Sequence, residues 1–255
     1  DPETMLRALL GGTQRMTANV DPAMTLQDVF EAFFFSSLPI QKDGLVEGID
    51  HYYREIFPEL GSITRQKPMA IKFVDWAVSN GHTVAIATNP FFPLEAVKHR
   101  LRWAGLAPEA YPFQLISSYE TFHFAKEQVS YFHEFLAQIG WPEGPIVMVG
   151  NDLAMDLEPA SKAGVPIFWI REDKDPSYPD IPQGSFADLQ EWITAVDEKK
   201  LYPKLDLPIS IRAALRAAPA AFDSLTRGID DRTWHFTLEN EAWSVTDIVC
   251  HLRAV

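Results

Sequence analysis

Residues 145–170 read PIVMVGNDLAMDLEPASKAGVPIFWI, and they decide the fold class. Pro145–Val149 and Pro166–Ile170 are apolar runs of strand length, rich in β-branched and aromatic side chains. Gly150-Asn151-Asp152 breaks the first run, Leu157–Ala163 has helical character, and Gly164 closes it. Strand, helix, strand in so short a span points to parallel pairing, because parallel neighbours need a crossover. The same alternation extends upstream. Pro68–Ser79 is a helix with Ile71, Val74, Trp76 and Val78, ended by Asn80-Gly81. His82–Ala87 (HTVAIA) is a buried strand broken by Thr88-Asn89-Pro90. Leu94–Ala104 is a helix closed by Gly105, and Gln114–Ser117 is a short strand. Glu127–Ile139 is a helix with Val129, Phe132, Phe135 and Leu136 on one side, closed by Gly140. Downstream, Leu189–Val196 is a further helix. The class implied is α/β, a parallel sheet covered on both faces.

The flanks differ from this core. Residues 1–65 carry no strand alternation and read as a helical segment. Thr25 with Asp28 three positions later is a capping pair for a helix over Leu26–Leu38, in which Val29, Phe30, Phe33 and Phe34 recur at helical spacing. Phe33–Phe35 read as core, with an apolar surface facing a ligand as the alternative. Pro39–Gly48 reads as a loop, and Ile49–Ile56 as a helix stopped by Pro58. Residues 66–196 hold the α/β core, and 197–208 (DEKKLYPKLDLP) form a charged, proline-punctuated linker. From Ile209 an alanine-rich helical pattern begins a separate, partial all-α domain over 209–255. Cys250 within it reads as a buried core residue.

At 255 residues the chain suits one large or two smaller domains, with ample length for an apolar core. Its net charge of −13 disfavours general binding to nucleic acid or anionic membranes. No apolar run approaches a membrane span, and there is no signal peptide pattern. One cysteine allows no internal disulfide and suits a reducing, cytoplasmic setting. The chain starts at Asp1 rather than Met and stops at Val255 within an amphipathic stretch, so it reads as a fragment.

Ligands of open α/β sheets bind at the carboxyl ends of the strands. Thr88 and Asn151-Asp152 stand at such ends, and Lys126 stands before a helix. A phosphoryl-transfer site needs a hydroxyl or amide to grip phosphate, a cation to offset charge, and carboxylates for magnesium. Thr88, Lys126, Asp152 and Asp156 supply these types in order. Among the histidines, His51, His82, His99, His123, His133 and His235 show no metal-ligand pairing on one helix face. His99 reads as solvated, and His123, though close to Lys126 in sequence, is not read as a site residue.

With these motifs, residues 1–196 resemble the haloacid dehalogenase (HAD) superfamily, specifically its magnesium-dependent phosphatase-like hydrolases, and the resemblance implies a Rossmann-like parallel-sheet core. The resemblance implies that Thr88 binds a phosphoryl oxygen, with Asn89 beside it in contact with substrate. It implies that Lys126 pairs with the nucleophilic carboxylate and the transferred group. Asp152 and Asp156 match the acidic pair that binds or orients Mg2+. The slot directly after glycine, usually Asp in the family, is Asn151, so either Asn151 or Asp152 can face the metal. The helical stretch before residue 65 resembles the cap that closes over the site. The implied reaction cleaves a small phosphorylated metabolite through an aspartyl-phosphate. The family's first motif, a strand running into DxDx(T/V) whose first Asp is the nucleophile, is absent; Asp1-Pro2 and Asp21-Pro22 do not replace it. The expectation is therefore no turnover by this chain. The alternative is a HAD-fold binding or regulatory protein. From Ile209 the chain resembles the start of a DinB-like bundle through Trp243–Leu252. That resemblance implies His251 as a first divalent-metal ligand and, as a further alternative, a metal-dependent transferase.

Overall fold

The computed structural model describes residues 1–39, 42–237 and 243–254. The chain runs through α1 (Pro2–Ala18), α2 (Leu26–Ser36) and α3 (Lys42–His51), then a π turn and a 3-10 segment to Ile63. There follow α4 (Pro68–Ser79), α5 (Leu94–Trp103) and α6 (Val129–Gln138). The next elements are β1 (Met148–Gly150), a π turn over Leu153–Leu157, α7 (Glu158–Lys162), β2 (Ile167–Ile170), β3 (Gln183–Gly184) and α8 (Phe186–Ala195). The chain closes with α9 (Pro208–Thr226), α10 (Asp231–Trp234) and α11 (Val245–Ala254). Mixed helix and parallel sheet is the observed class, and the sheet is small.

Strands β1, β2 and β3 pair in that order, all parallel, with Val149 opposite Phe168 and Trp169 opposite Gln183. The strands expected at His82–Ala87 and Gln114–Ser117 are shorter than read. They meet at one parallel bridge, Ile86 to Ile116, carried by Gln114 N–H to Val84 C=O (2.9 Å), Ile86 N–H to Leu115 C=O (2.8 Å) and Ser117 N–H to Ile86 C=O (3.0 Å).

Thr25 and Asp28 form the expected reciprocal cap on α2. The α1–α2 approach is close at Gly12, where a Cβ would strike the Phe30 ring. Phe34 is buried, and Phe33 lies under the Arg15 guanidinium at 5.4 Å, so this phenylalanine run serves helix packing. The helical segment is tied to the α/β part by hydrogen bonds to main-chain carbonyls. Leu26 N–H donates to Phe122 C=O (2.8 Å), Gln27 N–H to Tyr119 C=O (2.9 Å), and Gln128 Nε2 to Asn19 C=O (2.8 Å). The expected loop over 39–48 is instead largely α3, beginning at Lys42. A glycine inside a helix costs only about 1 kcal/mol, so Gly44 and Gly48 do not stop one that continues into the turns beyond His51. Residues 40 and 41 of that loop lie outside the described residues.

The main core surrounds α6, whose Ser130–Ala137 are all buried. Phe122, Phe124, Tyr131, Phe132 and Phe135 pack with Ala160, Ala163, Val165, Ala217 and Ala220, and Ala85, Ala87, Ile146, Met148 and Ile167 rest against them. Helix α9, which lies beyond the charged linker in sequence, runs along α6 in space. Small residues permit this: Ala213, Ala217, Ala220 and Ala221 are buried on its inner side. Polar contacts hold both ends. Ser210 Oγ lies 3.1 Å from His133 Nε2, and Arg227 Nη1 donates to Glu120 C=O (2.7 Å). Two expectations are corrected here. Cys250 is exposed rather than part of a core. The His99 side chain is only 14% exposed, beside Glu95 (Nε2 to Oε1 3.3 Å), because the Phe57 ring also stands over it.

His133 gives a pH prediction. Ser210 donates to Ala163 C=O (2.9 Å), so its oxygen accepts from His133 Nε2–H, and buried Nδ1 has no partner among the described residues. Protonation would add a donor with no acceptor, and burial lowers the His133 pKa to about 4. The unfolded imidazole titrates near 6.5, so it binds a proton that the folded state refuses between pH 6.5 and 4. His133 therefore contributes stability above pH 6.5 that is lost as pH falls toward 4. Urea midpoints of wild type and His133→Gln at pH 7 and pH 4.5 check this. The drop between the two pH values is expected to be smaller in the variant, and equal drops would contradict it.

Candidate active site

Four segments far apart in sequence meet beyond the carboxyl ends of Val84–Thr88 and β1. Thr88 is the first. Its N–H donates to Ser117 Oγ (3.0 Å), and its carbonyl accepts from Ser117 Oγ (2.8 Å) and from the Tyr131 hydroxyl (3.0 Å). The Thr88 main chain is thereby clamped. Burial pushes the Tyr131 phenol above its ordinary pKa, so it acts there as a neutral donor. Neither Ser117 nor Tyr131 stood out in the sequence. The signal for Ser117 was present, since it ends the segment expected to pair beside Thr88.

Asn89 is used at both ends of its side chain. Oδ1 accepts from Lys126 N–H (3.1 Å), and Nδ2 donates to Glu127 Oε2 (3.2 Å). It latches the 126–127 turn to the end of the Thr88 segment. Glu127 is therefore a carboxylate beside the site that the motif reading missed. Lys126 is buried. Its Nζ lies 2.7 Å from Asp156 Oδ1, with the two side chains 8% and 14% exposed. An ammonium has three donors, so Lys126 keeps capacity beyond Asp156.

Asp156 reaches back over β1. Its Oδ2 accepts from the N–H groups of Asn151 (3.0 Å) and Asp152 (3.1 Å). Gly150 makes room for this, because a Cβ there would run into the Asp156 carboxylate. Both oxygens of Asp156 are thus engaged inside the protein. Asp152 and Asn151 are exposed. Asp152 caps the π turn, its Oδ1 accepting from Ala154 N–H (3.0 Å) and Met155 N–H (2.9 Å).

Among the described residues no group of three or more His, Cys, Asp or Glu side chains could hold a metal ion. Mg2+ is commonly held by one or two carboxylates, with phosphate oxygens and water completing the octahedron. The second Asp152 oxygen and the Asn151 side-chain carbonyl are hard oxygen donors of that kind. Asp156, spent on Lys126 and two N–H groups, suits the task of orienting the loop that carries them.

His123 does not join this group. It is buried, with Nδ1 2.7 Å from Glu134 Oε1 and its own N–H also on Glu134. Burial raises the Glu134 carboxyl pKa against the opposing pull of His123. His251 is exposed, its ring edge-on to Trp243 with centroids 4.8 Å apart.

No helix among the described residues is long and apolar enough to cross a membrane. No family model matches the chain, and no curated protein matches it. Among solved structures the chain is similar to a HAD phosphatase from Thermococcus onnurineus, at 20% identity and a TM-score of 0.46, over 75% of this chain and 80% of that one.

Proposed function

We propose that residues 66–196 form most of a magnesium-dependent phosphohydrolase site of the HAD type, acting on a small phosphorylated metabolite, with residues 1–65 as its cap. One observation carries this: Lys126 joins Asn89, beside Thr88, to Asp156, which orients Asn151 and Asp152. A cation and a carboxylate are thereby held together beside the segment that carries Thr88. In this reading the Thr88 hydroxyl donates to a phosphoryl oxygen, and Lys126 offsets the charge that develops on it. Asp152 with Asn151 would hold Mg2+, which when bound polarises the phosphoryl oxygens. The π turn and Asp156 keep that pair in place.

Hydrolysis through an aspartyl-phosphate requires a carboxylate oxygen to form a bond to phosphorus as the leaving oxygen departs, and water to break that bond afterwards. The carboxylates around Lys126 among the described residues are otherwise engaged: Asp156 with Lys126, Asp152 as a cap and Glu127 with Asn89. The same observation favours a second reading, in which the chain binds phosphate and does not hydrolyse it. For residues 209–255, the Trp243–Leu252 stretch supports a DinB-like bundle with His251 as a candidate metal ligand.

Calorimetric titration of inorganic phosphate with Mg2+ tests the site. Wild type is expected to bind, Thr88→Val to bind about tenfold more weakly for one lost hydrogen bond, and p-nitrophenyl phosphate to remain uncleaved. Absence of phosphate binding by wild type, or equal binding by Thr88→Val, would overturn the assignment.

A further inference from the structure

Asn151 and Asp152 share one peptide group, and that group is gripped at both ends. Its N–H, on Asp152, donates to Asp156 Oδ2 (3.1 Å). Its carbonyl, on Asn151, accepts from the Trp169 indole Nε1–H (3.0 Å). The N–H and C=O of a trans peptide point in opposite directions from a rigid plane, so the two partners fix the tilt of that plane. The tilt in turn sets the direction in which the Asn151 and Asp152 side chains leave the main chain. Trp169 reaches this carbonyl through the sheet register, because it stands opposite Gly150, one residue before Asn151.

The indole bond lies at the surface, where water competes for both groups. It constrains the peptide only where the ring is itself held. The Arg171 guanidinium lies over the Trp169 ring, 4.2 Å from its centroid, and the Tyr178 ring stands perpendicular to it with centroids 5.5 Å apart. Arg171 is tied in turn through Nη1 to Asp175 Oδ2 (3.2 Å). Gln183, opposite Trp169 on β3, closes the loop. Its Oε1 accepts from Asp175 N–H (2.7 Å), and its Nε2 donates to Tyr178 C=O (2.8 Å). Residues 171–183 thus fold back on the strand position that carries the indole.

We propose that Trp169 is a positioning residue for Mg2+: through the Asn151 carbonyl, and braced by Arg171 and Tyr178, it holds the Asn151 and Asp152 oxygen donors in the orientation that takes the ion. This rests on the reading of that pair as the Mg2+ donors. Asp156 supplies one grip on the shared peptide and leaves its plane free to turn about that grip. Trp169 removes the remaining freedom. Donors fixed before the ion arrives have less ordering left to undergo when it binds.

Titration of MgCl2 into residues 1–255 at constant ionic strength, followed by NMR of the backbone and indole N–H resonances, tests it. In wild type the Asn151 and Asp152 amides are expected to shift with Mg2+. The Trp169 indole N–H, recognised by its absence from Trp169→Phe, is expected to shift along the same curve. Trp169→Phe keeps a ring for Arg171 and Tyr178 and removes the donor. It is expected to weaken Mg2+ binding by at least about tenfold, the usual effect of removing a partner that orients a metal ligand. Trp192→Phe, which alters an indole packed on Phe168 instead, is expected to bind as wild type does. Equal binding by wild type and Trp169→Phe, or an indole resonance that stays still while the two amides move, would overturn the proposal and leave the metal reading standing. Equal weakening by Trp192→Phe would show a general loosening of the sheet and overturn it too. A wild type whose Asn151 and Asp152 amides do not respond to Mg2+ would overturn the metal reading, and the proposal with it.

Discussion

Lys126→Met is expected to lower the free energy of unfolding by about 3 kcal/mol, an effect that a surface ion pair cannot produce. The ammonium and the Asp156 carboxylate are 2.7 Å apart and both largely withdrawn from solvent. Methionine keeps the stem volume and removes the charge, leaving Asp156 with only the Asn151 and Asp152 N–H groups. Those two donors keep the cost toward the lower part of the range for a broken buried pair. Asp156→Asn in the Lys126→Met background should recover part of the loss, because a neutral amide no longer asks for a cation. Urea unfolding of the two single variants and the double variant reads this as a coupling energy. A single-variant cost below about 1 kcal/mol would mean that water reaches the pair.

A chain ending at residue 207, and so lacking α9, is expected to lose cooperative unfolding. Removing α9 uncovers the α6 side that carries His133 and Gln138, and it takes Ala217 and Ala220 out of the main cluster. It also strips His133 of Ser210, Gln138 of Ser224 and the Glu120 carbonyl of Arg227. Whole domains are stable by only about 5–15 kcal/mol, so exposure of one complete side of the central helix is comparable with the total. Near-UV circular dichroism and the steepness of the urea transition, compared with 1–255, check this. An unchanged near-UV spectrum and an equally sharp transition would show that residues 1–207 fold independently of α9.

Local structure was largely legible. The Thr25–Asp28 cap, the helices near 68–79, 94–104 and 127–139, a strand inside 166–170 and one that overlaps 145–149 but runs on through Gly150 follow from periodicity and end signals, which act over a few residues. The exceptions have physical causes. Gly44 and Gly48 looked like loop residues because a glycine's small helix penalty is visible in sequence, whereas the turns that continue α3 are not. Ser185 with Asp188, a reciprocal cap, starts α8 at Phe186 rather than near Leu189. The exposed Cys250 and sheltered His99 show that a residue type's usual burial yields to what packs against it.

The sequence by itself determined the succession of helices and apolar strands, and where Thr88, Lys126, Asp152 and Asp156 stand relative to them, because caps, breakers and periodicity are short-range properties. Tertiary structure alone decided that Lys126 is buried on Asp156, that Ser117 and Tyr131 clamp Thr88, and that α9 covers α6. Each of these is a contact between residues distant in the chain. Its free energy comes from excluding water and matching donors to acceptors across packed elements, quantities that no stretch of neighbouring residues encodes.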